Sequence, residues 1–169
     1  ENIERVVQSA VPIADQIAKK WEMLLIDDGS SDKTLHVAQN IAKKDKRIQV
    51  ISHQPNRGYG AALNSGFTHA HYRYIVFTDG DSQFDFSEVT KFVEKIEKAD
   101  IVIGYRKKRR DKNLIKRLLL MYLLKLEALI LFHFRCKDID CAFKMFRKEA
   151  IEKIMPIRSE GAMVSTEII

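Results

Sequence analysis

The chain has 169 residues, 46% of them hydrophobic and 31% charged, with only three prolines, which excludes a disordered polypeptide and fits one domain, 1–169, with one site. A formal charge of +6 and a pI near 9.3 call for an anionic partner, whether a phosphate-bearing substrate, an acidic membrane surface or nucleic acid. Two cysteines, Cys136 and Cys141, are too few for a disulfide framework and lack the spacing of structural zinc sites, so both are read as reduced thiols.

From Asn2 to Lys20 the apolar residues Ile3, Val6, Val7, Ala10, Ile13, Ala14 and Ile17 recur every three or four positions, the spacing of a one-sided helix. Pro12 predicts a break or kink within it. Glu22 to Asp27 is a short apolar run closed by Asp28-Gly29-Ser30, which reads as a buried strand ending in a loop. Ser31 or Asp32 can cap the next helix, whose stripe is Thr34, Leu35, Val37, Ala38, Ile41 and Ala42. A strand over 47–52, a flexible turn at Asn56-Arg57-Gly58-Tyr59-Gly60 and a small-residue helix over 61–71 follow. The five histidines are scattered, and His69-x-His71 lacks the i, i+4 spacing of two ligands on one helix face, so they read as satisfied surface or core residues. Then come a strand over 74–78 running into Asp79, a helix over 86–98 and a strand over 100–104. Strands alternating with helices over short connections predict an α/β fold with a mainly parallel sheet. In such sheets ligands bind beyond the carboxyl ends of the strands, where the loops starting at Asp27, Asp79 and Gly104 would gather.

After Gly104 the pattern changes. Arg106-Lys107-Lys108-Arg109-Arg110, with Lys112, Lys116 and Arg117, concentrates the positive charge and leads into an apolar stretch over 114–134. Its unbroken apolar runs are shorter than the roughly twenty residues of a spanning helix. The segment 107–134 therefore reads either as an interfacial amphipathic helix beside a basic cluster or as a core helix with a solvated flank. No secretory signal is visible, and the sequence opens on Glu1 already within helical spacing, which suggests a piece of a longer chain.

Asp79-Gly80-Asp81 puts two carboxylates two residues apart in a turn at a strand end. Mg2+ and Mn2+ take oxygen ligands and are commonly held by one or two carboxylates together with substrate phosphates, so a sparse site of this kind suits them. Gly80 leaves room for a ligand to approach the backbone, and Gln83 adds a neutral oxygen. An isolated Asp-x-Asp is weak evidence, because most are capping carboxylates. Here it follows a second acidic strand end, Asp27-Asp28-Gly29-Ser30-Ser31-Asp32, with a glycine-rich turn between.

Taken in order, Leu25 to Thr34, Asn56 to Gly66, Phe77 to Gln83, Gly104-Tyr105-Arg106 and Asp140 to Phe146 resemble the family-2 inverting glycosyltransferases of the GT-A fold, a Rossmann-like three-layer sandwich. Within them the match is to the polyprenyl-phosphate branch, similar to dolichol-phosphate mannose synthase. The resemblance implies that Asp27 or Asp28 contacts the base or ribose of a nucleotide-sugar donor and that Gly58 lines its pocket. It further implies that Asp79, Asp81 and Gln83, beside Gly80, hold Mg2+ or Mn2+ and the diphosphate, and that Arg106 and Lys144 neutralise phosphates. The family's first strand and a Pro-x-Tyr-Asn segment would precede Glu1, and membrane-associated helices often follow the point reached by Ile169.

Sugar leaves a nucleoside diphosphate once the charge growing on the diphosphate is stabilised, a task for a divalent cation with Arg or Lys. A hydroxyl acceptor, as in polysaccharide or cell-envelope glycan synthesis, would need a general base such as Asp140 or Asp138, whereas a lipid phosphate is already an anionic nucleophile. The cluster from Arg106 to Arg117 favours the second: a UDP- or GDP-sugar donor, a polyprenyl-phosphate acceptor, and work at the cytoplasmic face of a membrane. Two other readings compete. An aspartyl-nucleophile phosphatase matches Val76 to Asp81 but gives Asp27-Asp28-Gly29-Ser30 no role. A basic module for nucleic acid or membrane suits the charge, yet the basic run lacks interleaved aromatic residues and no nucleic-acid motif is present. The residues name neither the sugar, the base nor the oligomeric state.

Overall fold

A computed structural model of the chain describes residues 2–105, 122, 138–139, 141–159, 161 and 164–169. In order the elements are α1 (Asn2–Ile17), β1 (Met23–Asp27), α2 (Thr34–Lys44), β2 (Ile48–Ser52), α3 (Tyr59–His69) and β3 (Tyr74–Phe77). A 3₁₀ turn (Phe86–Glu88) then precedes α4 (Val89–Ile96), β4 (Ile101–Ile103), β5 (Lys144–Arg147), α5 (Lys148–Ile154) and α6 (Val164–Glu167). The basic and apolar segment 107–134, apart from Tyr122, lies outside the described residues.

Alternation of strand and helix makes β1 and β2 parallel neighbours, in register from Met23 opposite Ile48 to Asp27 opposite Ser52. β5 lies between β3 and β4 and runs antiparallel to both, so β3 and β4 are parallel to each other. Phe77 and Ile103 both sit opposite Lys144, which levels the ends of β3 and β4. β1 is bonded only to β2, and β3 only to β5, among the described residues.

α1 joins the two groups of strands. Val7 packs with Leu25, Ala38 and Ile48 beneath β1 and β2, while Ile13 and Ile17 reach the cluster of Val89, Phe92, Phe143 and Met145. A third cluster, with Phe67, Phe146, Ile151, Val164 and Ile168, seats α3, α5 and α6. The predicted break at Pro12 is not seen: α1 runs through it. Val11 and Ile13, on either side, are packed in different clusters, and that burial offsets the roughly 3 kcal/mol that an interior proline costs. The helix predicted from Phe86 starts instead as a 3₁₀ turn, capped by Asp85, whose Oδ1 accepts from Ser87 N at 3.0 Å.

Arg147 ends β5 and closes the carboxyl end of α4. Its guanidinium donates to Ile96 O at 3.0 Å, Glu97 O at 2.7 Å and Ala99 O at 3.0 Å, supplying a cation and donors where a helix has spare carbonyls. Arg147→Met keeps the apolar stem and removes these bonds, and should lower stability by about 1–3 kcal/mol. The check is a fall in the urea midpoint at unchanged slope. No helix of the described residues is long and apolar enough to cross a membrane.

Candidate functional site

β1 delivers Asp27 and Asp28 at its carboxyl end. Asp27 is buried: Oδ2 accepts from Ser52 Oγ at 3.3 Å, and Oδ1 meets no donor among the described residues. Asp28 is fully engaged. Its Oδ1 accepts from Arg57 N at 2.9 Å and lies 2.7 Å from His53 Nδ1, and its Oδ2 accepts from Gly58 N at 2.8 Å. Burial alone raises this carboxyl's pKa, but the donors on Arg57, His53 and Gly58 outweigh it and hold the group below the ordinary carboxylate range.

The chain can close this turn because two glycines take backbone forms that a side chain resists. Gly58, at φ +92° and ψ 164°, occupies a region open almost only to glycine. Gly29 has φ +74°, and a Cβ there would stand 2.8 Å from Asn56 N. Gly29→Ala should therefore push the Asn56–Gly58 turn away from Asp28 and cost about 1–3 kcal/mol. A lower thermal midpoint than wild type is the expected outcome of a melting series.

His53 was not among the residues singled out from the sequence. It is 6% exposed, donates its backbone N–H to Asp27 O at 2.9 Å, and joins Asp28 to Ser65 Oγ, 2.8 Å from its Nε2. A signal for it existed: the parallel register sets Ser52 opposite Asp27, so the next residues, His53 and Asp28, emerge side by side.

β3 delivers the second acidic turn. Asp79 is half-buried and Asp81 exposed. Gln83 donates to Asp81 from its backbone N at 3.0 Å and from its Nε2 at 2.6 Å, which fixes the carboxylate. Ser82 has φ 62°, a left-handed conformation uncommon outside glycine and the mark of a constrained turn. Among the described residues a Cβ on Gly80 would meet only Ile3, at 3.7 Å, so none of them fills the space on that side of the turn. A cavity of about 240 Å3 beside it is lined by Arg5, Ser9, Thr78, Asp79, Ser82 and Asp85 among others. Arg5 is a further residue that sequence reasoning missed, since only the apolar stripe of α1 drew attention.

The structure thus groups Asp28 and Gly58 around one turn, and Asp79, Gly80, Asp81 and Gln83 in another. An all-oxygen set of two carboxylates and an amide suits Mg2+ or Mn2+; among the described residues no group of three or more His, Cys, Asp or Glu forms a metal cage. Lys144 is completely buried, with Nζ 5.5 Å from the centre of the Phe77 ring. Asp138 and Cys141 are both buried. Arg106 and Asp140 lie outside the described residues.

A family model described as Glycosyl transferase family 2 matches residues 1–155. The chain is 30% identical to a dolichyl-phosphate beta-glucosyltransferase of Saccharomyces cerevisiae, over 93% of this chain and 54% of that protein. It is 28% identical to a dodecaprenyl-phosphate galacturonate synthase of Rhizobium johnstonii, over 87% of this chain and 46% of that one. It spans about half the length of the curated relatives it matches. Among solved structures, the glucosyl-3-phosphoglycerate synthase of Mycobacterium tuberculosis with Mn2+, UDP-glucose and phosphoglyceric acid superposes with a TM-score of 0.71 at 22% identity, over 99% of this chain and 58% of that one. A mannosyltransferase of Pyrobaculum calidifontis with GDP-Man and Mn2+ gives a TM-score of 0.64 at 17% identity, over 99% of this chain and 48% of that one. At these identities the likeness concerns the fold, which is GT-A.

Proposed function

The chain belongs to glycosyl transferase family 2, and from that membership we propose that it is the donor-binding part of an enzyme that moves a sugar, with inversion, from a UDP- or GDP-sugar to polyprenyl phosphate. The observation that carries the reading is the Asp79-Gly80-Asp81 turn: two carboxylates at a strand end, one of them exposed, beside an open cavity. The acceptor is read from the relatives, which act on dolichyl or dodecaprenyl phosphate.

Asp79 and Asp81, with the Gln83 amide oxygen, would hold Mg2+ or Mn2+, which when bound supplies positive charge to the departing diphosphate. Gln83 keeps the Asp81 carboxylate aimed. Arg5, on the wall shared with Asp79, faces the same anion. Arg106 and Lys144 serve the diphosphate, Lys144 as a buried charge level with the ends of β3 and β4. Of the two strand-end carboxylates, one contacts the base or ribose; Asp28 is saturated by protein donors and positions the Asn56–Gly58 turn, while Asp27 Oδ1 is buried and without a donor among the described residues. The bond from the anomeric carbon to the diphosphate breaks as an acceptor phosphate oxygen bonds to that carbon from the opposite face. A phosphate acceptor is already anionic, so Asp140 is not required as a base. The enzyme would work at the cytoplasmic face of a membrane, next to its lipid acceptor.

The test is calorimetric titration of UDP and of GDP, each with and without Mn2+. Metal-dependent binding of one nucleotide supports the reading and names the donor class. If neither binds to the folded protein, the reading is wrong and a basic binding module takes its place.

A further inference from the structure

A second cavity, of about 210 Å3, lies between one face of α3 and the segment after α5; its wall includes Arg57, Asn64, Ser65, Thr68, Arg158 and Ser159. Among the described residues it shares no lining residue with the cavity beside Asp79. We propose that this groove is a binding site for a phosphate monoester, separate from the Asp79 turn, with Arg57 and Arg158 as its two cationic jaws.

Three observations converge on that chemistry. First, both guanidinium groups are exposed, and among the described residues neither has a carboxylate at ion-pair distance. Their backbones are nevertheless pinned: Arg57 N donates to Asp28 at 2.9 Å and Arg158 N to Glu167 at 2.7 Å. The side chains thus spring from fixed points and keep their donor forks uncommitted, the arrangement that recognises phosphate. Second, the neighbouring carboxylates are already occupied. Glu167 takes the N–H groups of Arg158 and Ser159, at 2.7 Å each, and Asp28 those of Arg57 and Gly58. A bond from the Ser159 side chain, with backbone bonds from Arg158 and Ser159, holds Glu167 below the ordinary carboxylate range, so its charge persists while these donors occupy its lone pairs. Third, Ser65, Thr68 and Ser159 line the space together with the two arginines, and the Thr68 hydroxyl adds a neutral donor for a remaining phosphate oxygen. The volume falls below the roughly 300 Å3 at which pockets for drug-sized ligands begin. It suits a headgroup or a small phosphorylated metabolite.

Ser65 gives the groove a line to the first acidic turn, since its hydroxyl meets His53, which meets Asp28. The site itself does not depend on the transferase reading, and the probe is a phosphate monoester alone, without metal or nucleotide.

Glycerol 3-phosphate titrated into the full chain, followed by calorimetry and by amide NMR shifts, should bind and perturb residues 57–69 and 157–159. In Arg57→Gln/Arg158→Gln the affinity should fall about tenfold or more, equivalent to about 1.4 kcal/mol, with the melting temperature unchanged because both side chains are exposed. Thr68→Val should weaken binding less. Vesicles of phosphatidylcholine with and without phosphatidic acid separate the sources. Co-sedimentation that needs phosphatidic acid and is lost in the double variant assigns a lipid headgroup; glycerol 3-phosphate binding without co-sedimentation assigns a soluble ester. No binding by the wild-type chain, or equal binding by the double variant, overturns the proposal.

Discussion

Asp81→Ala should abolish metal-dependent nucleotide binding while leaving the fold intact, and in a chain that carries out transfer it should lower kcat/KM by about a hundredfold to a thousandfold, the usual penalty for removing one element that stabilises developing charge. The contrast with stability is the informative part. Asp81 is exposed, and its described hydrogen bonds are to Gln83, two residues away, so no buried network depends on it. Near-coincident urea curves for the wild type and the variant, beside titrations in which Mn2+ no longer promotes nucleotide binding, are the expected pair of results. Retained metal-dependent binding would move the site away from this turn.

Asp28→Ala should do the reverse and strike the fold first. The substitution strands the N–H groups of Arg57 and Gly58 and removes the partner of buried His53. Leaving such donors unmet should cost about 2–4 kcal/mol, a large part of the 5–15 kcal/mol typical of a domain. The contribution has a definite pH dependence. Because the folded pKa of Asp28 lies below its unfolded value, its stabilisation is complete above the unfolded pKa and is lost as pH falls through the folded one. Wild type and Asp28→Ala should therefore differ most near neutrality and converge in acid, as read from denaturant midpoints across pH 2–7, a range set at roughly the carboxylate titration region. A gap that stays constant to the acid end would remove Asp28 ionisation from the account.

Much of this architecture could be read in advance, for a physical reason. Met23 to Asp27, Ile48 to Ser52 and Tyr74 to Phe77 are apolar runs closed by turn residues, and burial on a sheet requires that pattern. Both acidic turns were legible as turns because acidic residues with glycine directly follow apolar runs. β5 was not legible as a strand. Lys144-Met145-Phe146-Arg147 opens and closes on cations and shows no two-residue alternation, yet Lys144, Met145 and Phe146 are all buried because β3 and β4 flank the strand on both sides. Partners about 40 and 70 residues away in sequence decide its fate, and local pattern does not report them. The division of labour between Asp27 and Asp28 was hidden for a similar reason. It turns on backbone N–H groups of Arg57 and Gly58, and a sequence does not show where backbone donors point.

Among the described residues β1 and β3 are each bonded to a strand on one side only, which has a practical consequence for the 169-residue polypeptide. The far side of each is a row of amide groups beside apolar side chains, Met23-Leu24-Leu25-Ile26 in one and Tyr74-Ile75-Val76-Phe77 in the other. Such a margin is a template for any extended segment that comes within reach, including the same segment of a neighbouring molecule. Handled at high concentration, this polypeptide should be colloidally fragile out of proportion to its charge, forming intermolecular sheet that thickens with time and dissolves on dilution only early on.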